Sequence, residues 1–393
     1  MRDGWKKVTL GDVASIQTGV AKNDGYSGET VEIPYLRVAN VQDGFLDLSE
    51  IKKIKIPVEK KNRFLLQKGD VIMTEGGDFD KLGRGTIWDG QISPCAHQNH
   101  LFVVRTDCTK LNPFFLSYIS ASSYGRLYFR LSSKQSTNLA SINSTQLSHF
   151  PILLPPLEEQ NNIVNTISIW DSAIEKTEKL IAEKDKLFNG VSQKIFRKSG
   201  NKHRISDYLS IRNEKCIPDD TIPLYSLTIE DGVTPKSGRY DRVALVKDID
   251  EKEYKVVYPG DIVFNPANLR WGAIARSNET NKVAVSPIYE VLSLDNSKID
   301  SDYLTFLLTS KDKIQYYSTK TEGTLVERMA VKVDMFLNFE IEIEEDCETQ
   351  KKSAEVLLAL KKEIALLKKQ LEQYKLQKQG LMQKLLTGEW GVK

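Results

Sequence analysis

Three clusters in this sequence hold residue types that do chemistry elsewhere. Cys95, His97 and His100 offer soft metal donors, but a closed zinc site needs a fourth ligand in rigid tetrahedral geometry. No fourth partner is announced, so satisfied loop residues are the plainer reading and no metal is expected. Asn265-Pro266-Ala267-Asn268 is the nearest approach to the Asn-Pro-Pro-aromatic stretch of an amino-methyltransferase base pocket. It lacks the second proline and the aromatic ring that stacks on a flipped base. No Gly-x-x-x-x-Gly-Lys-Ser/Thr cradle for a nucleotide phosphate occurs, and Glu75-Gly76-Gly77-Asp78 reads as a loop. No Ser, Cys or Asp sits in a nucleophile elbow, and none of the four histidines, His97, His100, His149 and His203, stands out as a general base. The expectation is a chain that does no catalysis and binds no cofactor of its own.

Binding chemistry is better represented. Tyr124 to Arg130, with Arg126 and Arg130, runs into Lys134, Gln135, Ser136, Thr137 and Asn138. This mixes cations for phosphates with amides and hydroxyls suited to base edges. Its counterpart is Lys311 to Tyr317, continuing through Lys320, Thr324 and Arg328. A loop following an apolar strand adds Lys81 and Arg84 in the first half of the chain, and Asn268, Arg270 and Arg276 in the second. For any single one of these residues the alternative is solvated surface. Lys52, Lys53, Lys55, Lys60, Lys61 and Arg63 form a denser run, but few base-reading side chains interleave it, which suits phosphate or solvent contact. Lys+Arg of 55 against Asp+Glu of 53 leaves a net charge of +2. A nucleic-acid reading must therefore rest on local clusters and not on the total.

What would position these residues is a plan written twice. At 393 residues with 40% hydrophobic and 27% charged residues, the chain has the profile of a globular protein of two or three domains. Sliding the sequence by about 190 residues aligns Ile33-Pro34-Tyr35-Leu36 with Ile222-Pro223-Leu224-Tyr225. It also aligns Gly69-Asp70-Val71-Ile72 with Gly260-Asp261-Ile262-Val263, and Asn112 to Leu116 with Ser301 to Leu304. Chance matching is disfavoured because order and offset are kept. The four cysteines, Cys95, Cys108, Cys216 and Cys347, show no CxxC spacing. No long apolar run or leader-like h-region occurs, so a reducing cytoplasm fits best.

Each copy is followed by a helical stripe. After Pro155-Pro156, with Glu158 and Glu159 in the first turn, apolar residues recur in steps of four and three: Ile163, Ile167, Trp170, Ile174, Ile181, Phe188, Val191 and Ile195, interrupted by Thr177 and Lys184. The same steps shifted by about 190 give Ser353, Leu357, Leu360, Ile364, Leu367, Leu371, Tyr374, Lys378, Leu381 and Leu385. About 40 residues at about 1.5 Å each make a rod of roughly 60 Å. A stripe of period 3.5 calls for a second helix as its partner. If a two-fold axis relates the copies, the pair runs antiparallel; an ordinary helix lying on its own domain is the alternative. The expected division is a globular domain over 1–155, a helix over 156–200, a second domain over 201–346 and a second helix over 347–388.

Taken in order, Trp5 to Gly19 (WKKVTLGDVASIQTG), Gly69-Asp70-Val71-Ile72, Leu154-Pro155-Pro156-Leu157-Glu158-Glu159-Gln160, Gln193-Lys194-Ile195-Phe196 and Gln383-Lys384-Leu385-Leu386-Thr387-Gly388 resemble the specificity subunit of Type I restriction-modification systems. One departure is Glu344 to Gln350, which keeps Gln350 but not the two prolines, so prolines do not mark the start of the second helix. The resemblance implies an α/β protein with two mixed α/β target recognition domains. Each is followed by a long helix, and the two helices pair as an antiparallel coiled coil. It further implies that each domain reads half of a split, asymmetric site in double-stranded DNA, and that the helices act as a ruler. The helices would also dock two modification subunits, which carry S-adenosylmethionine and methylate adenine, and restriction subunits can join. A non-catalytic coiled-coil adaptor for proteins and a self-sufficient methyltransferase are the competing readings.

Overall fold

The computed structural model describes residues 2–21, 28–77, 82–135, 140–197, 200–236, 252–321 and 330–391. It forms two compact units, Met1–Glu178 with Lys369–Lys393, and Lys179–Lys368. Each unit holds one mixed α/β domain and part of each long helix.

In the first unit a four-stranded antiparallel sheet runs in the order Ala14–Thr18, Leu101–Thr106, Val71–Thr74, Gly85–Ile87. Val71–Thr74 is buried along its whole length, because as an inner strand it is covered on both faces; its apolar run VIMT suits that place. The turn before it needs Gly69 at φ +93°, and Asp70 ties the turn by accepting from the Gln67 amide at 2.7 Å. Strands Lys52–Pro57, Thr30–Leu36 and Ala96–His97 make a second sheet. Helices Pro113–Ala121 and Ser123–Ser132 follow, the first capped by the Asn112 side chain. Lys6–Thr9 pairs with Pro151–Leu154, so the start of the domain is stitched to the strand that leads into the first long helix.

The second unit repeats this plan. Its sheet order is Leu209–Ile211, Glu290–Leu294, Ile262–Phe264, Ile274–Arg276. Gly260 at φ +86° and Asp261, which accepts from the Tyr258 amide at 2.8 Å, rebuild the same turn. Helices Ser301–Leu308 and Lys311–Thr319 match the first pair, and Asn201–Arg204 pairs with Glu340–Ile343.

The long helices span Leu157–Phe196 and Cys347–Leu386, 40 residues each. Gln160, wholly buried, accepts from the Asn112 amide at 2.8 Å and donates to the Lys110 and Pro155 carbonyls at 2.8 and 2.9 Å. Gln350 does the same work in the second unit, accepting from the Asp300 amide at 2.9 Å and donating to the Glu344 carbonyl at 2.6 Å. The second helix thus starts without the prolines, fixed by the glutamine.

Within each unit the helices pack antiparallel. In the first, Ile163 and Ile167 share a core with Leu381, Met382 and Leu385, while Trp170 meets Tyr374 edge-on at 5.7 Å. In the second, Lys184 bridges Glu363 at 2.8 Å, and Ile195, Phe196 and Ala354 join one core. The polar interruptions of the stripe have local reasons. Thr177 donates to the Ala173 carbonyl of its own helix, and Lys378 pairs with Asp171. Along the second helix Leu357, Ile364 and Leu385 are buried, and Leu360, Leu367, Leu371 and Leu381 are half-buried. On the first, Ile163 and Ile167 are buried and Trp170, Ile174, Ile181 and Phe188 half-buried. Among the described residues no helix is long and apolar enough to cross a membrane.

Candidate nucleic-acid interface

In the first unit the candidate contact residues separate into two groups. Lys134 and Gln135 lie on a short strand beside Ala140–Ser141, which in turn pairs with Gly76–Gly77. A side chain at Gly76 would meet the Ala140 carbonyl at 2.5 Å, so the glycine permits this close approach. Lys134, Gln135 and Arg130 are exposed, and Gln135 donates to the Arg130 carbonyl at 3.2 Å, which holds the strand against the helix end. This group presents a cation and an amide outward on a braced backbone.

Arg84 and Arg126 form the other group, converging on the turn at Gln42–Gly44. Arg84 donates to Gln42 at 3.1 Å and Arg126 to Asp43 at 2.6 Å, and Thr86 donates to the Gly44 carbonyl at 3.0 Å. Their cleft is nearly filled, with about 10 Å³ of free space. Lys81, Thr137 and Asn138 lie outside the described residues.

The second unit places Arg270 and Arg276 on a cleft of about 800 Å³ shared with Asp231, Trp271, Lys311 and Gln315. Arg276 is committed within the fold, donating to Ser301 at 2.7 Å and Asp302 at 2.5 Å. Arg270 lies over the ring of the exposed Trp271 at 5.2 Å. Asn268 is exposed at the turn preceding them, and Lys320 is exposed with its ammonium 5.4 Å from the Tyr316 ring. Thr324 and Arg328 lie outside the described residues.

The Cys95, His97 and His100 cluster is dispersed. Cys95 is buried and its thiol is pushed up to about 12 by burial. Buried His97 bonds the Phe64 carbonyl at 3.3 Å, while His100 bonds Glu75 at 2.6 Å. Among the described residues no group of three or more His, Cys, Asp or Glu is arranged to hold a metal ion.

Sequence reasoning missed the ion pair that anchors each main sheet. Asp70 receives both the Nε and Nη2 of Arg105, at 2.7 and 2.8 Å. Asp261 receives the same fork from Arg212, at 2.5 and 2.9 Å. Arg105 lies on Leu101–Thr106, whereas Arg212 directly follows Leu209–Ile211. Val104 and Leu292 hold one register position, as do Ile16 and Ile211, so Arg105 corresponds to Ser293 and Arg212 to Gln17. The repeated Gly-Asp pair was the available signal, but the migrating arginine concealed the partner.

This plan is that of known proteins. Residues 2–183 match the family described as Type I restriction modification DNA specificity domain. Over its whole length the chain is 25% identical to the putative type I restriction enzyme MjaX specificity subunit of Methanocaldococcus jannaschii, covering 95% of that protein. Half of the chain is 29% identical to 42% of the type I restriction enzyme StySPI specificity subunit of Salmonella potsdam. The crystal structure of the Type I restriction-modification system S subunit from M. genitalium superposes with a TM-score of 0.57 at 14% identity, covering 97% of this chain and 96% of that one. The chain is thus similar over residues 2–183 to the Type I restriction modification DNA specificity domain, and over its whole length to a protein named as a type I restriction enzyme specificity subunit.

Proposed function

We propose that the two domains, 1–155 and 201–346, each read one part of a bipartite, asymmetric DNA site, with the helices over 156–200 and 347–388 fixing the gap between the parts. The observation that carries this is duplication of the scaffold without duplication of the candidate contacts. Both sheets, both Gly-Asp turns and both glutamine clamps recur. The first domain, however, presents Arg130, Lys134 and Gln135 where the second presents Asn268, Arg270 and Lys320. Two different readers on one scaffold specify a site of two different parts at fixed separation. The helices dock two modification subunits, which bring S-adenosylmethionine and methylate adenine, and restriction subunits join that complex in the cytoplasm.

The test is to map methylated bases in DNA treated with the complex of this chain and its modification subunits. A split motif with two unlike parts is expected. Lys134→Ala with Gln135→Ala should relax discrimination in one part only, by about tenfold to a hundredfold. Equal loss in both parts, or no salt-dependent DNA binding by the complex, would overturn the reading and favour a protein adaptor.

A further inference from the structure

The two long helices carry opposite charge and unlike seam residues at equivalent places. Leu157–Phe196 has seven Asp or Glu against five Lys, whereas Cys347–Leu386 has four Glu against nine Lys. In the first unit Asp171 pairs with Lys378, and Glu178 with Lys375 at 3.0 Å. In the second unit Lys184 pairs with Glu363.

The repeat relates these pairs to a second set. Shifting by 190 sends Asp171 to Lys361 and brings Lys378 back to Phe188. Both trios pack on equivalent helices of their domains. Tyr118 donates to Asp171 at 2.6 Å with Lys378 over its ring at 5.6 Å, whereas Phe306 meets Phe188 at 6.0 Å and Lys361 at 5.9 Å. The same operation sends Glu178 to Lys368 and Lys375 to Asp185.

From this follows what either helix would meet if it paired with a second copy of itself in the same antiparallel register. Two first helices would set Glu178 against Asp185 and Asp171 against Phe188, each twice, and Lys184 would lose Glu363. Two second helices would set Lys361 against Lys378 and Lys368 against Lys375, each twice. At these positions like charges face each other in both cases, and opposite charges only in the mixed pair. We propose that these seam charges are a pairing code, so that the interaction surface on each half of the chain accepts the other half and rejects a second copy of itself. The consequence is that two unlike domains are always carried on one spacer. The inference concerns pairing within and between copies of this chain and holds whatever the domains read.

The experiment starts from the full chain, with a protease site placed at 198–199. After cleavage the two fragments are allowed to exchange, and native mass spectrometry at low salt counts the pairs. Mixed pairs are expected to exceed either like pair by at least about tenfold, against the twofold of indiscriminate pairing, and the excess should shrink in high salt. In the variant with Lys375→Glu and Lys378→Glu the code is inverted, since Lys361 and Lys368 then face carboxylates in the like pair. Pairs of second fragments should appear. Restoring the mixed pair by adding Glu178→Lys and Asp171→Lys shows that the charges act through the seam and not through folding. Twofold mixed excess in the parent, or an unchanged preference in the inverted variant, overturns the proposal.

Discussion

Replacing Gln160 by Leu keeps the volume of the side chain and removes its three hydrogen bonds. The Pro155 carbonyl it serves is buried, and an unsatisfied buried carbonyl costs about 2 kcal/mol; the Asn112 amide and Lys110 carbonyl are partly reachable by water and cost about 0.5 kcal/mol each. The expected loss is about 3 kcal/mol, which for a unit of roughly 200 residues lowers its melting temperature by about 6–12 °C. Gln350→Leu breaks two bonds, both partly accessible, and should cost only about 1–2 kcal/mol. Calorimetry of both variants measures the two transitions directly. A fall of less than about 2 °C in Gln160→Leu would show that the clamp does not hold the helix start to the domain and that the reasoning from satisfied backbone groups is wrong.

Arg105→Ala leaves Asp70, 1% exposed, without its guanidinium, and should cost about 3 kcal/mol in denaturant titration; adding Gln17→Arg to Arg105→Ser should recover at least half, because that is the arrangement around Asp261. His97 titrates at about 4, lowered first by burial, against 6.5 when unfolded. The unfolded chain therefore binds the extra proton, and the stability fully present above about pH 6.5 should fall by up to about 3 kcal/mol toward pH 4. His97→Leu should flatten that slope in pH-dependent unfolding, and an unchanged slope would exclude His97 as its source. Inserting four residues near Thr177, close to one helical turn and about 6 Å, should lengthen the gap in the methylated motif while leaving both parts of the site alone; an unchanged gap with full activity would show that the helices are not the ruler.

The helices were legible in the sequence because their signal is local. Steps of four and three persist over ten positions, and any residue facing away from the partner is free to be charged, so the stripe stands out without knowledge of what it meets. The repeat was legible for a related reason: the Gly-Asp turns at 69–70 and 260–261 require a backbone conformation that few other residues supply. Partners distant in sequence were hidden. Arg126 and Arg276 read as cations available for phosphates, yet each is held by a carboxylate, Asp43 across 83 residues and Asp302 across 26. Lys184 and Lys378 read as flaws in an apolar stripe, and they belong to charge pairs between the helices, with partners 179 and 207 residues away. A cation looks the same in sequence whether it faces solvent, phosphate or a buried acid; only the folded partner distinguishes them. That is why the scaffold could be read before the interface. It is also why the contact residues to test first are those left exposed on braced backbone, Lys134 and Gln135, ahead of the arginines the fold has already engaged.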